Sequence, residues 1–332
     1  MPRTVVDNIS VESGKVGHGW IDIGELHDGS KVRLPLSIVS GAEPGPRMLL
    51  TSVTHGDEVC GLEAVKKIVS SVNPSSLHGT IIGIPVLNIP AFLYVGRYDP
   101  LNPYHEDMAD IIKSGQIHPE AAMPHRVALA VHSKLLPQSD CYIDFHSSAA
   151  GSINYPRAII TPDWAKIDNE LRKKCDDIGF ASGFEILFHA KRVGWAGQYF
   201  NVDTSIEEKF HIPCLILETG GAPMIDGADE LVRGATNVMK YLKMIPGAPV
   251  PGPKQVVTDR MIAIRASRGG ILHMTVKLRQ EVSKGDIVAK ITDFFDNVIE
   301  EVKAPDKGII VKIATQGFCS TGYRVAAMAT PA

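Results

Sequence analysis

His55 and Glu58 stand three residues apart, and His146 and Glu218 follow far along the chain. Each comes just past a short apolar run: Met48 to Val53, Asp140 to Phe145 and Ile212 to Leu217. Two imidazoles and one carboxylate make up a catalytic zinc ligand set, three protein ligands with a fourth position open to water. Such an ion would bring its water's pKa toward about 7 and polarise a bound carbonyl. Glu218 is then a further carboxylate available as general base. A lone His-x-x-Glu also arises by chance. The competing reading is a turn with His55 and Glu58 solvated and His146 satisfied or capping.

The elements around these residues alternate. Residues 1–40 read as strands, with Ile21-Asp22-Ile23 and Val32 to Ile38 alternating loosely. The runs that precede the four polar residues suit buried strands, as does Gly79 to Leu87. Helices are expected over Gly61 to Val72, Pro124 to Leu136, Pro162 to Gly179 and Glu230 to Leu242. Asn88 to Glu120, polar and rich in Pro, Tyr and Asp, reads as a long functional loop. Strands alternating with helices predict an α/β fold with a mixed, mostly parallel sheet and helices on both faces. Ligands bind beyond the carboxyl ends of strands in such sheets, where the four residues stand. A Pro/Gly linker is expected at 246–255, separating 1–245 from a small all-β domain at 256–332.

The text around the four residues is similar to a known family. Thr54-His55-Gly56-Asp57-Glu58, with Gly61 following, resembles the His-Gly-(Asn/Asp)-Glu motif of the aspartoacylase and succinylglutamate desuccinylase family. Asp144-Phe145-His146-Ser147 resembles its Asp-Leu-His motif, and Leu217-Glu218-Thr219-Gly220-Gly221 its Glu-x-Gly-Gly motif. Asn88-Ile89-Pro90-Ala91-Phe92 and Arg97-Tyr98 are similar to its Asn-x-x-Ala/Gly-Phe and Arg-Tyr/Thr segment. The resemblance runs over residues of about 45–245 in the family's order. It implies a zinc carboxypeptidase-like fold, with one zinc per chain on His55, Glu58 and His146. It also implies Glu218 as the base that activates water and protonates the leaving amine, and Arg97 as the donor to the amide oxygen. Asn88 and Asn102 would serve substrate binding.

One departure concerns the substrate. Family members continue after the arginine with Asp-Leu-Asn-Arg, whose last pair grips a substrate carboxylate, whereas this chain reads Asp99-Pro100-Leu101-Asn102-Pro103. Pro103 offers no donor, so either another cation (Arg126, Arg157, Lys191 or Arg192) takes its place or the substrate has no carboxylate there. His105-Glu106-Asp107 tilts the expectation toward a neutral or cationic N-acyl compound. The C-terminal text, Glu281 to Val288 followed by Val302 to Ile310, is similar to the half-repeats of biotinyl/lipoyl-type barrel sandwiches. Their modified lysine is missing from Thr292 to Asn297, so the segment is expected to be a structural module or a wall of the site.

Other candidates read blandly. His118, His125 and His132, spaced by seven, suit a solvated face. Cys60, Cys141 and Cys214 suit packing, and Arg157, Lys191 and Arg192 read as solvated cations. No Gly-x-Ser-x-Gly elbow, phosphate-binding loop or dinucleotide fingerprint occurs.

Composition bounds the rest. The 332 residues carry 34 basic and 37 acidic side chains, a net charge of −3, with 44% hydrophobic residues. Nothing here suits nucleic acid or an anionic membrane. Five separated cysteines fit a reducing compartment, and neither a signal peptide nor a membrane span is expected. The reading is therefore a cytoplasmic, homo-oligomeric zinc deacylase acting on a small N-acylated amino acid or amine. The alternatives are a metallocarboxypeptidase acting on peptides and a non-catalytic binding protein on a degenerate hydrolase scaffold.

Overall fold

A computed structural model describes residues 3–102, 104, 106–118, 120–161, 165–189 and 205–330. The expectations placed on Pro103, His105, Lys191 and Arg192 lie outside these residues.

Thirteen strands form one mixed sheet. Its centre is parallel: His78–Ile84, Glu43–Ser52, Cys141–Ser148 and Cys214–Gly221 lie side by side in that order. These strands are buried on both faces, as continuous apolar runs in parallel sheets are. Their period of two divides each strand between two cores. Met48, Leu50, Ile143, Phe145, Leu215 and Leu217 meet the helices Cys60–Ser71, Asn169–Ala181 and Ala228–Tyr241 on one face. Leu49, Ile82, Ile84 and Tyr142 meet Met108–Ser114 and Met123–Ala130 on the other.

On both sides of this centre antiparallel pairs enter the sheet. Lys31–Ser40 joins His78–Ile84 antiparallel, and Ser152–Ile160 joins Cys214–Gly221 antiparallel. An apolar run is the same in either direction, so which strands run antiparallel in the mixed sheet was invisible locally. The helix expected from Pro162 begins at Asn169, because the Asp168 side chain accepts the Leu171 N–H and caps it there. The loop expected over Asn88 to Glu120 holds two short helices, Ile89–Leu93 and Met108–Ser114, each capped by the side chain before it.

Among the described residues 256–330, regular structure is β only. Gly308–Ala314 pairs with Ser152–Ile160, and Arg324–Thr330 pairs with Gly308–Ala314, so the central sheet runs on into the C-terminal segment. Four further strands form a separate sheet, Val298–Lys303, Ile287–Thr292, Gly270–Met274 and Phe318–Cys319 in order. The Pro/Gly stretch is pinned to the body, with the amide of Asn237 bonded both ways to the Val250 backbone at 2.9 Å.

Candidate metal centre

Three of the parallel strands converge at their carboxyl ends. His55 and Glu58 lie on the turn between the strand Glu43–Ser52 and the helix Cys60–Ser71. The turn is tight. A Cβ on Gly56 would fall 2.1 Å from the carbonyl carbon of Ala91, and one on Gly61 would fall 2.2 Å from Ser52 Oγ. Val53 enters it with φ of +52° while fully buried, costly for a β-branched residue by about 1–3 kcal/mol. Strain of that kind persists only where the surroundings over-determine it.

His55, Glu58 and His146 are all buried, and one ligand atom from each lies within 4.8 Å of the others. Both imidazoles turn the same atom inward: His55 Nδ1 is 2.9 Å from Glu58 Oε1, and His146 Nδ1 is 2.9 Å from Oε2. Despite that proximity, His55 Nδ1 is a buried nitrogen with no hydrogen-bond partner. An orphaned nitrogen converging with a second imidazole and a carboxylate suits a metal ion. The outward nitrogens are held by carboxylates, His55 Nε2 by Asp107 at 3.1 Å and His146 Nε2 by Asp144 at 2.7 Å. Metal-ligating histidines are oriented in this way. Asp144 itself accepts from Thr51 Oγ1 at 2.7 Å and from Thr54 Oγ1 at 3.2 Å.

The electrostatics follow from burial opposed by charge. Burial works against the His146 imidazolium, but Asp144 and then Glu58 outweigh it and push the ring up to about 10. His55 is raised in the same way, by Glu58 and Asp107 against burial. Glu58 is held well below the usual carboxylate range, because the two rings overcome its own burial.

Glu218 lies beside this group. It is the parallel register partner of His146 on the neighbouring strand. Its carboxylate accepts from Asn154 Nδ2 at 2.5 Å and from Arg157 Nε at 2.9 Å, with Arg157 Nη2 at 2.6 Å. Arg97 reaches the centre from the other side, Nη1 donating to Glu58 Oε1 at 2.7 Å, and its backbone carbonyl accepts the Gly56 N–H. Asn88 is a helix cap: its side-chain oxygen accepts the Ala91 N–H, and its Nδ2 donates to the Thr54 carbonyl. Asn102 accepts the Tyr104 N–H and reaches Glu106 at 3.5 Å.

Two expectations about cations and histidines are corrected. Arg157 is not a solvated cation but 2% exposed, because its strand lies antiparallel to the Glu218 strand with the two residues in register. His125 and His132 do not form a solvated face. Both are buried, His125 bonded to Glu106 and His132 to the Ile112 carbonyl at 2.7 Å.

Sequence reasoning missed Asp107 and Asn154 as site residues, and it named Arg157 only as a solvated cation or a substitute grip on a substrate anion, not as the partner of Glu218. Asp107 had a readable signal, an Asp directly before an apolar-periodic stretch and hence a helix N-cap. Arg157 had a weaker one, a lone charge beside Ala158-Ile159-Ile160.

The likeness to known proteins matches this geometry. The curated N-alpha-acetyl-L-2,4-diaminobutyric acid deacetylase of Halomonas elongata is 24% identical over 338 residues, covering 99% of this chain and 95% of that protein. Among solved structures, a succinylglutamate desuccinylase from Silicibacter sp. TM1040 superposes with a TM-score of 0.83 at 21% identity, covering 100% of this chain and 98% of the other. The product-bound ectoine utilization protein EutE from Ruegeria pomeroyi superposes with 0.81 at 20% identity, covering 97% and 98%. These two show a shared fold. The family model for the succinylglutamate desuccinylase/aspartoacylase catalytic domain matches residues 44–245, which takes in both histidines, Glu58 and Glu218, and the chain belongs to that family.

Proposed function

We propose that the protein is a zinc-dependent amidohydrolase that removes the acyl group from a small N-acylated amino acid or amine. The observation that carries this reading is the register of Glu218 with His146, which sets a further carboxylate, outside the three-residue set, beside the His55, Glu58 and His146 group. The deacetylase relative from Halomonas elongata supports the reaction class. The five unpaired cysteines fit a cytoplasmic setting.

His55, Glu58 and His146 hold the zinc. When bound, the ion supplies Lewis acidity, drawing electron density from the amide carbonyl and acidifying water. Glu218 takes a proton from the attacking water and returns it to the departing nitrogen. Asn154 and Arg157 fix both oxygens of that carboxylate, so the base is aimed before substrate arrives. Arg97, one-third exposed beside Glu58, faces the negative charge that develops on the amide oxygen. Asn88 supports the turn behind the site, and Asn102 is assigned to substrate contact.

The test is a panel of N-acyl amino acids and N-acyl diamines with chelator-treated and zinc-restored protein. Turnover should vanish on chelation and return with zinc. Glu218→Gln should keep about one zinc per chain while kcat falls by roughly 100-fold or more. A variant that loses its metal makes Glu218 a ligand, and a panel with no turnover removes the deacylase reading.

A further inference from the structure

Two cations on the wall beside Glu218 have no partner among the described residues. Lys312 lies on Gly308–Ala314 and Arg324 on Arg324–Thr330, both from the C-terminal segment. Lys312 is the antiparallel register partner of Asn154, and facing residues of such a pair share one side of the sheet, their Cβ atoms about 4.5–5.5 Å apart. Asn154 in turn donates to Glu218. Lys312 is thus one side chain away from the base, yet 92% buried, with no hydrogen bond or ion pair to any described residue (its exposure is 8%). Arg324 is close enough to feel both Arg157 and Glu218, and it too lacks a hydrogen bond or ion pair among the described residues.

Among the described residues the charge beside Lys312 does not balance. Glu218 is already paired with Arg157, and Glu58, the other acid that acts on Lys312, is taken by Arg97, His55 and His146. Burying unpaired cations is costly. Burial, and then Arg324, push the Lys312 ammonium down to about 7, so the wall holds its charge with difficulty until an anion arrives. A purely structural lysine at this position would be replaced without loss by an apolar residue of its size. A ligand carboxylate would instead supply the missing counter-charge.

We propose that Lys312, with Arg324 beside it, is a carboxylate-binding subsite, so that the C-terminal segment supplies the anion grip that Pro103 cannot. This rests on the deacylase reading and departs from the expectation of a neutral or cationic substrate. The carboxylate could belong to the amine half or to the acyl half of the substrate, and the experiment separates the two.

Three amides are compared: N-acetyl-2,4-diaminobutyric acid, with its carboxylate on the amine half; N-succinyl-1,3-diaminopropane, with its carboxylate on the acyl half; and N-acetyl-1,3-diaminopropane, with none. Wild type should favour one of the acids over the third compound by roughly tenfold to a hundredfold in kcat/KM, as a charge-assisted contact does. Lys312→Met should shrink that ratio tenfold or more. A wild-type ratio near one, or a ratio unchanged in the variant, overturns the subsite. If wild type hydrolyses none of the three, the deacylase reading fails and calorimetry decides the subsite. Binding of 2,4-diaminobutyric acid or succinate weakened tenfold by Lys312→Met supports it, and equal or absent binding overturns it. Should Lys312→Met not fold, Arg324→Gln is read by the same criteria.

Discussion

Arg157 and Glu218 face each other across an antiparallel strand pair, Nη2 2.6 Å from Oε2, and both are buried. The carboxylate therefore does not depend on solvent for its charge. Its two oxygens point where Asn154 and Arg157 direct them. A buried pair of this kind adds little net stability, but the loss of one partner leaves the other charge stranded.

Arg157→Met is accordingly expected to lower the unfolding free energy by about 3–5 kcal/mol and to lower kcat along with it. The double variant Arg157→Met, Glu218→Gln should recover part of that stability, since no uncompensated charge remains. Urea unfolding of wild type, both single variants and the double variant reads the cycle. A double variant no more stable than Arg157→Met would show that the loss came from packing and not from the stranded carboxylate.

Asp144 would act on a bound metal through His146. It accepts from Nε2 at 2.7 Å and is itself held by Thr51 and Thr54. Asp144→Asn preserves the shape but not the charge. Zinc affinity should drop by roughly 10- to 100-fold with the three ligands intact, as measured by competition with a chromophoric chelator. Unchanged affinity would leave Asp144 with a purely structural part.

The pH dependence has a definite sign. In the metal-free fold Asp144 and Glu58 push His146 up to about 10, well above the ordinary value of about 6.5. The proton's contribution to metal-free stability is thus complete below about 6.5 and is lost as pH rises toward 10. The ring that binds metal is the neutral one, so affinity for metal should rise with pH across the same window. At pH 7.5, zinc uptake should release about one proton or more per chain. Calorimetry in two buffers of different ionisation enthalpy measures that number. A release near zero would mean that His146 is already neutral before metal arrives.

How much was legible depended on whether the cause was local. His55, Glu58, His146 and Glu218 could be read because each follows an apolar run, and a buried strand presents what comes after it at the sheet's edge. The Gly56 and Gly61 positions could be read as part of the same motif, and their role is now a steric one, the absence of a Cβ where Ala91 and Ser52 come close. The central helices were anticipated from apolar spacing, with ends shifted where a cap such as Asp168 decided them.

What only the tertiary structure decided is the register and direction of the flanking strands. Lys312 opposite Asn154 and Arg157 opposite Glu218 join residues far apart in the chain. A strand's sequence specifies which side chains alternate but not which strand it pairs with, nor in which direction. A lone lysine in Gly308–Ala314 and a lone arginine in Ser152–Ile160 therefore look like solvated charges until the sheet closes over them. The sequence by itself determined which groups stand at the ends of the buried strands. The pairing of distant strands, set by burial of whole faces at once, decided which charges stand around them.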